Sequence, residues 1–284
     1  MGTEPIPSWS EFVAGFDLFR DAILCGAGAG LVLGFLGVYV VLRRMVFVSA
    51  AITHAAGLGV ALAFYAQIHL GAGASAHPVL GAFVLGLGTT LLLMVDPTRI
   101  GLTRESVIGL VFIFASGASL LVGDRIAQES HDIHAILFGT AVMVSKADLA
   151  ITLGSGGGVL GLHLWLRRGL IYASFDEETA RVQRLPVRLL SAILLLTIGL
   201  MVSVTTRALG AMPVFAFSVL PAMTALALSR RLGVVFLLAA VLGTLSAIVG
   251  YLGSFFLHFP VGASQTVVAA ILAVTAMLLR RLLR

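Results

Sequence analysis

The chain is poor in charge. Only 11% of its 284 residues are Asp, Glu, Lys or Arg, where an ordinary globular protein carries about 25%. A soluble domain cannot clothe its surface with so few, and the mean hydropathy of +1.08 points instead to a polytopic membrane protein. Cysteine is nearly absent. Cys25 stands alone, which excludes an intramolecular disulfide and any cysteine-built metal centre. No GxxxxGK[ST] stretch occurs, so no P-loop can hydrolyse nucleotide here. HExxH, CxxC and GxSxG are missing too, and an intramembrane hydrolase loses its support. The apolar runs hold no Asp or Glu at their centres, which argues against a carboxylate-relay carrier. A secretory signal is not expected either. Glu4, Glu11, Asp17 and Arg20 interrupt the start, with no apolar core and cleavage site. The formal net charge of +5 comes from basic residues beside apolar runs, which is a topology signal and not a nucleic-acid footprint.

What the chain has in abundance is uninterrupted apolar length. Runs lie at 22–42, 46–68, 79–95, 107–122, 149–166, 189–206, 208–228, 232–256 and 263–279. A helix needs about 20 residues to cross the hydrocarbon, with about 17 as the floor. The run at 107–122 reaches that length only by borrowing Glu105 and Ser106, and 136–144 is a candidate half-helix. The expectation is an all-α polytopic protein with nine spans, eight being the alternative. One membrane domain over 22–284 follows an interfacial helix in 1–21, where Trp9, Phe12, Phe16 and Phe19 share a face. Arginines set the orientation. With the N-terminus outside and the C-terminus cytosolic, 14 of the 18 basic residues fall on the cytosolic side. The opposite side then collects Asp124, Glu129, Asp132 and Asp148 with most of the histidines, either a cation-gathering face or ordinary solvated loops.

Within the run that follows Arg43 and Arg44, His54 is the one titratable group. An imidazole in an apolar helix either hydrogen-bonds between helices or lines a route for a solute. His131 and His134 with Asp132 form an HxxH stretch that could hold zinc or manganese at an outer mouth if helical; a wet loop is the other reading. Gly26, Gly30 and Gly34, spaced by four, read as a helix-packing seam. The glycines at 154–158 read as a place where a helix loosens or kinks. In the longest cytosolic connection, 167–188, Ser174 and Glu177 read as a capping box opening a short helix that Pro186 stops. A charged helix at that turn is more naturally a docking element for a soluble partner; a solvated loop is the other reading.

These residues carry a family resemblance. The blocks GVYVVLRRMVFVSAAITHAAGLGVAL, ESVIGLVF, LFGTAVMVSKADL, FDEETARVQRLPV, LGAMPVFAFSVLPAMTALALSRRL and PVGASQTVV occur in order over nearly the whole chain. Together they resemble the permease subunits of the manganese/zinc/iron ABC importers, with a looser likeness to cobalamin-type permeases. The resemblance implies a type II ABC importer fold and a transport subunit that is not itself an enzyme. It implies a homodimer in a prokaryotic inner membrane, two cytosolic ATPase subunits and an extracytoplasmic metal-binding protein. It implies no resident cofactor and no nucleic-acid partner, only a transported divalent metal. It places His54 and Glu105 in the ion path. It also places Phe175, Asp176, Glu177, Ala180, Arg181, Pro221, Arg230 and Arg231 at the ATPase coupling surface. Three positions depart from the family pattern: Ala50 replaces an Asp, Leu58 a Pro and Thr140 an Asn. The lost carboxylate takes away a hard oxygen ligand, which puts zinc ahead of manganese or iron. A stand-alone carrier or channel is the alternative.

Overall fold

In hydrocarbon every backbone N–H and C=O must be satisfied within its own segment, so long apolar sequence becomes helix. A computed structural model of the protein describes residues 7–71, 77–95, 101–127, 144–175 and 177–282. Among the described residues every regular element is a helix. In order these are α1 (Trp9–Ala14), α2 (Phe16–Leu42), α3 (Val46–His69), α4 (Pro78–Met94), α5 (Arg104–Ala127) and α6 (Lys146–Trp165). There follow α7 (Arg167–Phe175), α8 (Glu177–Val182), α9 (Val187–Leu209), α10 (Ala211–Phe217), α11 (Leu220–Leu228), α12 (Leu232–Leu257) and α13 (Val261–Leu282).

Seven described stretches are long and apolar enough to cross a membrane: α2, α3, α5, α9, Ala211–Leu228, α12 and α13. The pair α6–α7 makes an eighth only if its 74° bend is counted as one broken span. With 17 residues, α4 stays short of that test. Among the described residues, seven to eight spans is therefore the count by length and composition, against the nine expected. Of the residues expected to form an interfacial helix over 1–21, 9–14 form α1 and 16–21 the first turns of α2, while 1–6 lie outside the described residues.

Close backbone approach organises the bundle. A methyl on Gly30 of α2 would strike the carbonyl of Gly243 on α12, and one on Gly59 of α3 would strike that of Gly81 on α4. Small residues at these crossings let whole helices touch, the route to association where no hydrophobic effect operates. The expected seam of Gly26, Gly30 and Gly34 is the α2 face against α12 and α13. Several interior hydroxyls bond back along their own helices: Thr53 donates to Ser49 O at 2.7 Å, Ser203 to Gly199 O at 2.6 Å and Thr205 to Met201 O at 2.6 Å.

Ends and breaks have local causes. Gly210, at φ +89°, lets α9 turn directly into α10. Pro221 has no N–H to carry the ladder across, so the span Ala211–Leu228 breaks between α10 and α11. Three ends carry a non-glycine left-handed residue: Arg44, Arg184 and His258. After α8, Leu185 N–H bonds Ala180 O at 3.0 Å and Arg184 N–H bonds Arg181 O at 2.9 Å, which is a Schellman closure. Outside the bundle, α1 is fixed by a capping box in which Ser8 and Glu11 bond reciprocally. Its Trp9 packs on Phe256 with centroids 4.8 Å apart, and Phe12 on Phe255 at 5.2 Å.

Two expectations about the middle of the chain are corrected. Ser174 caps nothing: it sits in the last turn of α7, and its hydroxyl donates back to Leu170 O at 2.6 Å. The expected single helix from there to Pro186 is the end of α7 plus α8, closed by Arg184 before the proline is reached. The glycines at 154–158 do not break α6, which runs through them; the bend comes after Trp165. Gly156 faces Val32 of α2, so one of these glycines serves close packing. The possible half-helix at 136–144 lies outside the described residues, apart from its last position.

Candidate metal path and coupling face

α3 is the most enclosed span, 78% buried over its apolar window, and α5 the least, at 22%. Their contact carries the candidate path. His54 is half-buried on α3, and its ring stands edge-on against Phe112 of α5, centroids 4.8 Å apart at 84°. One turn earlier on the same face, Ala50 is 2% exposed, so α3 offers no carboxylate one turn from the imidazole. Ala55 and Leu58 continue the packing against Ala115 of α5.

Towards the arginine-rich end the seam opens. A cavity of about 620 Å³ lies between α3 and α5, walled by Met45, Val48, Ile108 and Phe112 and edged by Arg43, Arg44, Arg104 and Glu105. Glu105 and Phe112 are seven residues apart, about 10 Å along a helix. The two expected path residues thus share one seam at different depths and do not form one ligand shell. Three guanidinium groups against one carboxylate make this mouth a poor resting place for a cation. Arg43 also braces the fold. It donates to Ala173 O at 2.8 Å and Ser191 Oγ at 2.9 Å, tying the end of α2 to α7 and α9.

The remaining histidines scatter. His69 stacks on Tyr65 at 4.4 Å, His77 precedes α4, and His258 closes α12. His131, Asp132 and His134 lie outside the described residues, and so does Thr140. Among the described residues no three His, Cys, Asp or Glu side chains converge as a metal cluster. His163 is a residue the sequence reading passed over. It is wholly buried in α6, with Nδ1 2.9 Å from Val159 O and Nε2 3.4 Å from Thr197 Oγ1, beside Phe35 and Tyr39. Its signal was the one that drew attention to His54, a lone imidazole in an apolar run. Asp148 and Arg207 form an ion pair joining α6 to α9, and Ser145 donates to Asp148 at 2.6 Å.

The expected coupling residues fall on α7, α8, α11 and the turn 229–231. Phe175 and Arg181 are exposed, as are Arg230 and Arg231, while Ala180 and Pro221 are buried and seat their helices. Asp176 and the Glu177 side chain lie outside the described residues.

A family model described as the ABC 3 transport family matches residues 15–280. The chain belongs to the ABC 3 transport family. This family member is 32% identical over 259 residues to the manganese transport system membrane protein MntC of Halalkalibacterium halodurans, covering 90% of this chain and 85% of the relative. It is 28% identical to the chelated iron transport system membrane protein YfeD of Yersinia pestis, with 93% and 86% covered. Among solved structures it superposes on PsaBC of Streptococcus pneumoniae, in complex with Fab, at TM-score 0.79 and 26% identity, covering 95% of each chain. It shares its fold with an inward-facing putative metal-chelate type ABC transporter, at TM-score 0.72 and 16% identity over 97% and 90% of the chains. The six sequence blocks therefore pointed to the right family.

Proposed function

We propose that this ABC 3 family member is the permease subunit of an ATP-driven importer of divalent transition metals, with manganese as its leading cargo. The observation that carries the cargo assignment is the 32% identity, over 90% of the chain, to a protein named for manganese transport. Zinc is the second reading, favoured by the buried Ala50 in place of a carboxylate one turn before His54. The ion follows the α3–α5 seam past His54 and leaves by the cavity at Glu105. Two copies face each other and alternate between outward and inward openings. α8 and the turn 229–231 receive the ATPase subunits, and a binding protein delivers metal to the opposite face. The N-terminus lies outside and the C-terminus in the cytosol, as the arginine bias requires. On this topology α4 crosses with 17 residues and α6 crosses before its bend, which makes nine spans.

The test is metal-stimulated ATP hydrolysis and uptake by the permease reconstituted with its ATPase and binding protein, across manganese, zinc and iron. Manganese should stimulate most. A preference for zinc would exchange the two readings, and uptake indifferent to ATP would remove the importer assignment.

A further inference from the structure

α3 carries His54, and α11 runs to the turn 229–231. A hydrogen bond links α3 to the break just before α11. Ser49 Oγ of α3 lies 2.7 Å from Ser218 Oγ, both side chains 1% exposed. Ser218 closes α10 at that break, and its hydroxyl also reaches Phe215 O at 2.8 Å. A hydroxyl has one hydrogen, so Ser218 donates to Phe215 and accepts from Ser49. Ser49 in turn accepts, at its carbonyl, from Thr53, the neighbour of His54. The result is a polar chain from the foot of the imidazole to the break in the span. Behind it, Gly37 of α2 leaves just enough room for the Ser218 carbonyl, where a methyl would clash. The nine residues of α11 then carry the connection about 13 Å to the arginine turn.

We propose that Ser49 and Ser218 are positioning residues that keep α3 fixed to the hinge between α10 and α11, so that displacement of the turn 229–231 moves the helix bearing His54. This deepens the importer reading and rests on it. The link stays closed through the cycle, because opening it would leave the Ser49 hydroxyl without its acceptor inside an apolar bundle, while Ser218 keeps its bond to Phe215 O. No step requires Ser49 or Ser218 to touch the ion.

The experiment measures manganese uptake and ATP hydrolysis together, in the reconstituted assembly with its ATPase and binding protein, normalised to assembled complex. Ser49→Ala and Ser218→Ala should each lower ions moved per ATP by about threefold. The double variant should be no worse than either single, and Ser218→Thr, which keeps a hydroxyl, should retain coupling. An unchanged ratio in both alanine variants overturns the proposal. A second arm does not depend on alanine tolerance. In a Cys25→Ala background, the pair Ser49→Cys and Ser218→Cys is cross-linked by mild oxidation. Normal uptake by the cross-linked complex supports a permanently closed link, and blocked uptake overturns it. Uptake by the wild-type assembly that ignores ATP would instead remove the importer reading itself.

Discussion

A histidine ring inside hydrocarbon has to find a partner or a wet path. At His54 the neighbouring ring is Phe112, set T-shaped at 4.8 Å, and among the described residues no hydrogen-bond partner stands beside the imidazole. The ring nitrogens are therefore available to a passing solute in a way that those of His163 are not. His54→Ala should lower metal uptake by about 10- to 100-fold while complexes assemble at wild-type yield. His54→Phe separates ligand from spacer, since it keeps the ring on Phe112 and removes the nitrogens. It should fail like alanine; uptake restored by phenylalanine would make packing the role of this residue. Gly30 poses the opposite problem, a position defined by having no side chain. Gly30→Val must part α2 from α12 at the Gly243 backbone, and should cost about 1–3 kcal/mol or more, read as a lower thermal midpoint in detergent.

Helix ends and breaks show what a one-dimensional reading captures. The apolar runs at 22–42 and 46–68 foretold α2 and α3 closely, because hydropathy over 20 residues is a strong and local signal. The glycine seam was legible for the same reason, a fixed spacing on one helix. Ser174 was misread because a serine three residues before a glutamate has two uses, an N-cap or a back-bond to its own helix, and the neighbouring α7 decides between them. The capping box formed by Ser8 and Glu11 carried the same pattern and was overlooked. The cavity above Glu105 and the bond between Ser49 and Ser218 join residues from distant runs, and no periodicity announces them. Two predictions belong to these elements. Arg184 holds a left-handed conformation that glycine adopts freely, so Arg184→Gly should raise stability by about 0.5–1 kcal/mol, measured as a higher unfolding midpoint. Arg230→Glu with Arg231→Glu reverses two exposed charges at the end of α11. ATPase subunits should co-purify less, or hydrolyse ATP without uptake; intact coupling would make the turn a passive loop.

For the whole molecule, the proposed route makes the seam between α3 and α5 half of a passage. Two helices cannot wall a route for a hydrated or partly dehydrated cation, and α5 leaves Ile113, at the edge of the cavity, 70% exposed and Phe114 68% exposed. Apolar residues there face either lipid acyl chains or protein. Lipid on that side would leave the half-buried His54 and the rim at Glu105 open to hydrocarbon, at the cost that attends polar groups in a bilayer core. A second copy, related by a two-fold axis along the membrane normal, would close the seam and set two such surfaces against each other. Ile113→Cys, placed in a Cys25→Ala background, should therefore cross-link copies of the chain into dimers in native membranes under mild oxidant. Leu237→Cys on α12 is the control, since that side chain is 65% exposed on a helix packed against α2, α11 and α13. Cross-linking confined to position 113 would place the passage between protomers. Equal monomer recovery at both positions would leave α5 facing lipid, and the route would then have to run inside a single chain.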